Sequence, residues 1–131
     1  MNEKRNTIEE MIRNAKPESF PWRGKNHPTV TLFFPELTWK CPRQAYPDFG
    51  KLSVSYVPCQ KILEMKSFKL YLNSFRDRYI GQERVPDEIF EALWELLNPH
   101  VIKLDLKVSP RGNMKNHIKI ERRRKCESIH P

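Results

Sequence analysis

Cys41 and Asp48 are the residues of this chain best suited to covalent chemistry. They share the stretch Cys41-Pro42-Arg43-Gln44-Ala45-Tyr46-Pro47-Asp48-Phe49-Gly50. A thiol becomes a nucleophile when it ionises, and the neighbouring Lys40 and Arg43 favour the thiolate. A carboxyl group a short loop away can move a proton. A second block, Glu64-Met65-Lys66-Ser67-Phe68-Lys69-Leu70-Tyr71, sets Lys66 and Lys69 one helical turn apart, so both ammonium groups reach one phosphate region. Together the blocks point to covalent chemistry beside a phosphate-bearing cofactor. Each residue alone has a plainer reading: a buried inert thiol, a turn aspartate, an ordinary solvated lysine face.

The elements that must position these groups follow from periodicity. Thr7-Ile8-Glu9-Glu10 reads as a capping box opening a short N-terminal helix that ends before Pro17. Pro17 to Pro28 reads as an extended arm that Trp22 pins to the body. Thr29 to Phe34 is β-branched and aromatic, a strand. Pro35 to Pro47 reads as a long, functional loop carrying Cys41. Leu52, Val54 and Tyr56 alternate with polar residues, giving a second strand. Phe68, Tyr71, Leu72, Phe75 and Tyr79 form a helical stripe opposite Lys66, Lys69, Asn73 and Arg76. A further helix opens near Pro86, buries Ile89, Phe90, Leu93, Trp94 and Leu97, and stops at Asn98-Pro99. Val101 to Val108 and Lys115 to Glu121 return to period two around a turn at Ser109 to Asn113. The expected fold class is α+β: a ββααββ order, with an antiparallel four-stranded sheet and two helices layered on one face.

The chain has 131 residues, enough for one domain, and a 38% hydrophobic content. A lone subunit of this size buries a limited core, so oligomerisation is expected. No apolar run is long enough to span a bilayer, and Met1-Asn2-Glu3-Lys4-Arg5 leads into no signal core. These features read as a soluble cytoplasmic protein. The net charge of +8 favours an anionic partner, although Arg122-Arg123-Arg124-Lys125 also reads as a solvated terminus. Three widely spaced cysteines give no disulfide framework, and Cys59 and Cys126 read as spectator thiols. The four histidines lack ligand spacing, so no metal site is expected.

The ordered blocks Cys41-Pro42 to Pro47-Asp48-Phe49, Tyr56-Val57-Pro58, Glu64 to Tyr71, Ser74-Phe75-Arg76, Gln82-Glu83 and Pro110-Arg111-Gly112 resemble the NADPH-dependent 7-cyano-7-deazaguanine reductases, the QueF family of the tunnelling fold. The likeness runs roughly from Phe33 to Ile120. It implies that Cys41 attacks the substrate nitrile to form a thioimide and that Asp48 delivers the proton. It implies that Glu83 anchors the purine-like base through paired hydrogen bonds, with Gln82, Leu63, Glu64 and Met65 lining the same pocket. Lys66, Lys69 and Arg111 are implied contacts of NADPH. Gln82 stands where many members carry histidine; it still donates a hydrogen bond but does not titrate. Met65 replaces the usual serine or leucine.

The resemblance further implies a homo-oligomer of paired pentameric rings with sites at subunit interfaces, and a partner that is a small deazapurine nitrile rather than membrane or nucleic acid. The domain plan is an arm with a short helix over 1–26, a tunnelling-fold reductase domain over 27–122 and a basic tail over 123–131. Three other readings stand beside the reductase. QueF-like amidinotransferases use a comparable cysteine and aspartate on tRNA, giving archaeosine, but lack the lysine block. A basic nucleic-acid-binding module without catalysis rests on charge alone. A pterin-forming zinc cyclohydrolase needs metal ligands this spacing does not offer.

Overall fold

The computed structural model describes residues 2–126, the first five by backbone alone. Helix α1 (Asn2–Arg13) leads to strand β1 (Ser19–Pro21), then β2 (Val30–Lys40), β3 (Pro47–Val57) and β4 (Lys61–Leu63). Helices α2 (Met65–Asn73) and α3 (Arg84–Leu97) follow, then β5 (Val101–Arg111) and β6 (Met114–Arg123). The order β2-β3-β5-β6 makes one antiparallel sheet, as the alternating segments imply. Period two sends Leu37, Trp39, Leu52, Val54, Tyr56, Ile102, Leu104 and Leu106 to one face. There they meet Phe68 and Leu72 of α2 and Ile89, Phe90, Leu93 and Leu97 of α3, forming the core. Each such side chain taken fully out of water is worth about 1.5–3 kcal/mol, so the sheet and helix layer stand or fall together.

Four expectations need correction. First, Pro35 does not end β2. The pairing with β3 shifts register between Phe34 and Leu37, so Pro35 and Glu36 form a bulge. On an edge strand a missing N–H costs no ladder bond, and Leu37 and Trp39 resume the buried alternation. The loop that carries Cys41 therefore shrinks to residues 41–46. Second, α2 stops at Asn73. Backbone bonds from the N–H groups of Phe75, Arg76 and Arg78 to carbonyls three residues back tighten the chain. It then runs as a strap alongside β2: the Lys40 N–H donates to the Arg78 carbonyl at 2.9 Å, and the Ile80 N–H donates to the Lys40 carbonyl at 3.0 Å. Tyr79, expected on a buried stripe, is instead 60% exposed.

Third, Cys59 and Cys126 are bonded as a disulfide, with Cα atoms 5.8 Å apart. Sequence spacing could not bring them together; the sheet does, by ending β3 and β6 at the same side. Fourth, the basic tail is anchored as far as it is described. Arg122 pairs with Glu91 at 2.8 Å and lies over the rings of Phe90 and Trp94. Arg124 stacks 3.8 Å from the Trp94 centroid. Residues 127–131 of that tail lie outside the described residues.

At the N-terminus, α1 opens at Asn2, so Thr7 lies inside it rather than capping it. The arm is held by more than Trp22: β1 pairs with β4, a two-stranded sheet that the proline-rich composition hid. The turn between β5 and β6 is also tighter than expected. Gly112 (φ 62) and Asn113 (φ 68) both take left-handed backbone between Arg111 and its partner Met114. Two such residues in a row make the hairpin turn whose twist matches the strands.

Gly50 of β3 lies close against β5 and the Trp39 ring. A Cβ there would meet Leu106 Cδ1 at 2.8 Å and the Lys107 carbonyl oxygen at 3.3 Å. Gly50→Ala is expected to lower the unfolding free energy by about 1–3 kcal/mol, measured as a lower midpoint in urea. An unchanged midpoint would contradict this packing.

Candidate active site

The strand ends set the position of the nucleophile. Lys40 is the last residue of β2 and Pro47 the first of β3, and they are paired across the ladder. The loop between them is closed by its own backbone: the Cys41 N–H donates to the Tyr46 carbonyl at 2.9 Å, and the Ala45 N–H donates to the Cys41 carbonyl at 2.9 Å. Ala45 takes a left-handed φ of 59° to complete the turn, a conformation that non-glycine residues adopt at some cost. The thiol of Cys41, free and half-buried, is thereby set against the backbone N–H groups of Arg43 and Gln44.

Those N–H groups, Arg43 first and Gln44 second, lower the Cys41 pKa from the ordinary thiol value; Arg111 adds to this, while burial and the Asp48 charge oppose it. Hydrogen bonds to an anion favour the anion. The sequence pointed to cationic neighbours; the structure assigns the larger effect to backbone dipoles.

Asp48, one residue into β3, is 5% exposed and faces the helix layer. Its carboxylate is bonded to Arg111 Nη2. The same guanidinium donates to Gln44 Oε1 at 3.1 Å and lies over the Tyr46 ring. Arg111 therefore joins the Cys41 loop, Asp48 and the β5–β6 hairpin. A carboxylate out of water needs such a partner.

Gln82 and Glu83 follow the strap and precede α3, at this same end of the sheet. Asn116 of β6 holds both: its Nδ2 donates to Gln82 Oε1 at 2.8 Å and to Glu83 Oε2 at 3.0 Å. Glu83 makes no capping bond to α3, so its exposed carboxylate keeps room to accept further bonds. Asn116 was missed from sequence. Its signal was present: it occupies the inward register of Ile118 and Ile120, where a polar residue needs a partner.

The other expected residues lie elsewhere in the same chain. The Leu63 N–H donates to the Tyr56 hydroxyl at 2.9 Å. Tyr56 is eight residues along β3 from Asp48, roughly 26 Å at the usual rise. Glu64 caps α2, its two carboxylate oxygens accepting from the N–H groups of Ser67 and Lys66, each at 2.8 Å. These bonds, Ser67 first, lower its pKa. Met65 and Lys69 line a cavity of about 270 Å³ with Phe33, Phe34, Leu52 and Phe68. Among the described residues, no acid comes within ion-pair distance of Lys66 or Lys69. One chain thus brings together Cys41, Asp48, Gln82, Glu83 and Arg111, and gathers Leu63, Glu64, Met65, Lys66 and Lys69 in a second group. Arg111 sits with Asp48, not with the two lysines.

The family model described as QueF-like protein matches residues 47–127. The chain is 37% identical over 113 residues to the NADPH-dependent 7-cyano-7-deazaguanine reductase of Wolinella succinogenes, covering 84% of this chain and 91% of that protein. It is 42% identical over 113 residues to the Aquifex aeolicus protein of the same name, covering 86% and 85%. Among solved structures, the apo form of the archaeosine synthase QueF-Like is similar, with a TM-score of 0.68 and 26% identity over 74% of this chain and 95% of that one.

The lowered Cys41 pKa has a direct consequence. Alkylation of Cys41 by iodoacetamide, followed by mass spectrometry, is expected to rise with pH at a midpoint below that of a free thiol. A midpoint at or above the ordinary thiol value would refute thiolate stabilisation by the 41–46 turn.

Proposed function

The chain belongs to the QueF-like protein family, and from that premise we propose that it reduces the nitrile of 7-cyano-7-deazaguanine to the aminomethyl group at the expense of two NADPH. The observation that carries this reading is the pairing of a hydrogen-bonded thiol with a buried carboxyl group at one end of the sheet, in a chain about 40% identical to proteins named for that reaction. The structural neighbour named for archaeosine synthesis has the same fold. The Lys66/Lys69 block separates the two readings, because two ammonium groups that form no ion pair among the described residues suit a cofactor phosphate.

In this mechanism the Cys41 thiolate, stabilised by the Arg43 and Gln44 N–H groups, adds to the nitrile carbon. Asp48 takes up the proton that the Cys41 thiol releases and passes it to the nitrile nitrogen, and the product is a thioimide with a new C–S bond. NADPH, when bound, supplies hydride to that carbon in each of two reductions. Cys41 leaves as the thiol after the first, and a further proton completes the amine. Glu83 accepts from the ring N–H and exocyclic amine of the base, while Asn116 keeps Gln82 and Glu83 in register. Lys66 and Lys69 hold the cofactor phosphate as point charges. Arg111 orients Asp48 in the free protein.

We assign the complete site to two subunits of a ring, because one chain separates Asp48 from the second group by roughly 13 Å at Leu52, beside Met65 and Lys69, and roughly 26 Å at Tyr56, beside Leu63. Among the described residues, the outer edges of β2 and β6 lack a partner strand, the strap touching β2 only at Lys40. This supports the paired pentameric rings that the family suggests. No helix among the described residues is long and apolar enough to cross a membrane. NADPH consumption fits a cytoplasmic setting.

Purified protein given 7-cyano-7-deazaguanine is expected to consume two NADPH per nitrile, followed by nicotinamide absorbance. Cys41→Ala should reduce the rate to background, and mass spectrometry without NADPH should show the nitrile adduct on Cys41. Ammonia transfer to tRNA with no loss of NADPH would replace the reductase by the amidinotransferase. For the shared site, Cys41→Ala and Lys66→Ala/Lys69→Ala are each expected to be inactive alone. Mixed after dissociation and reassembly, they should recover NADPH oxidation. Failure to recover, with mixed oligomers verified by native mass spectrometry, would place both halves in one subunit.

A further inference from the structure

The sheet face turned away from the helices carries an uncompensated cluster of positive charge. Lys51 of β3 stands directly opposite Lys107 of β5, and Lys107 stands opposite His117 of β6. The Lys51–Lys107 pair sets like charges directly opposite each other, which destabilises a strand pair. Elsewhere on this face the register compensates: Lys103 is opposite Glu121, Lys119 is opposite Asp105, and His117 turns to Asp105. Lys51, Lys107 and Lys115 make no ion pair among the described residues. Together with Ser109, Pro110 and His117 they line a cavity of about 370 Å³, within the size range of small-molecule sites.

We propose that this cavity binds a pyrophosphate group, on the face of the sheet opposite Lys66 and Lys69. Three ammonium groups and the Ser109 hydroxyl all act as donors, and they suit a compact ligand with several anionic oxygens. A nucleic acid would need positive charge continued along the sheet, and Asp105 and Glu121 interrupt it. The group has two sources: free pyrophosphate or a nucleoside polyphosphate, and the diphosphate bridge of the nicotinamide cofactor.

Isothermal titration of the full chain with inorganic pyrophosphate tests the site without turnover, so its failure is separable from failure of the reductase reading. Wild-type protein should bind with an affinity that falls as salt rises. K51Q/K107Q/K115Q should bind at least tenfold more weakly, while K103Q/K119Q, which removes two lysines of the same face outside the cavity, binds like wild type. The triple variant should be at least as stable as wild type at low salt, because the opposed ammonium groups are gone. An unchanged KM for NADPH in the triple variant would support a free polyphosphate as the ligand; a raised KM would support the cofactor bridge. No pyrophosphate binding by wild type, equal binding by the triple variant, an equal loss in K103Q/K119Q, a lower Tm in the triple variant, or binding of tRNA but not pyrophosphate would each overturn the proposal.

Discussion

Asp48 can be buried only because Arg111 reaches it. A carboxylate at 5% exposure at the end of a strand has given up most of its water and needs a counter-charge or donors in return. Arg111 provides both, and it is brought within reach by the hairpin at Gly112 and Asn113, whose two left-handed residues turn β5 into β6 without a longer loop. The same side chain holds Gln44 and covers Tyr46, so the loop carrying Cys41 is tied to a hairpin more than sixty residues later. Gly50 belongs to this arrangement too, because it lets Trp39 and β5 close over the strand that presents Asp48. The nucleophile, the acid and their support are thus three strand ends fixed by one guanidinium and one tight turn.

That constraint also explains the division of the site. The strap Arg78–Ile80 bonds to Lys40 and so delivers Gln82 and Glu83 to the Cys41 end, while β4 and the start of α2 are held by Tyr56 at the other end. Neither group can move toward the other without breaking β3, the central strand that both depend on. A reaction that needs both must recruit the second group from another copy. The open edges of β2 and β6 offer the backbone donors and acceptors for that pairing.

The layered α+β plan was legible because its signals are long and periodic: Leu52, Val54 and Tyr56 in one strand, Ile89, Phe90, Leu93 and Leu97 in one helix. What stayed hidden was contextual. Pro35 reads as a breaker in any window, and only its place on an edge strand makes it a tolerated bulge. The stripe from Phe68 to Tyr79 keeps helical spacing past the point where the backbone tightens, where Phe75 is buried and Tyr79, with Lys40 over its ring, stays mostly exposed. Cys41 and Asp48 were found by residue type, yet the electrostatics of Cys41 come from amide groups whose direction no sequence states. Asn116 broke an apolar alternation and was passed over, although a polar residue in that register has to be bonded. The Cys59–Cys126 bond joins positions 67 apart, and only the antiparallel order of the sheet makes them neighbours.

Net charge illustrates the same difference between composition and structure. A total of +8 invites a polyanionic partner, but the charges do not act as a pool. Arg122 and Arg124 are spent on Glu91, Asn98 and the face of Trp94, where guanidinium stacking fastens the chain end to α3. Arg78 is bonded to Glu88 through both of its terminal nitrogens, and Arg111 to Asp48. Among the lysines that form no ion pair within the described residues, two groups are clustered: Lys66 and Lys69 on α2, and Lys51, Lys107 and Lys115 across the sheet. They lie on opposite faces, too far apart and too compact for one continuous track along a nucleic acid. Each sets two lysines side by side, one helical turn apart or directly across a strand pair, so the basicity of this chain is better accounted for by small anions bound at separate places than by one long one.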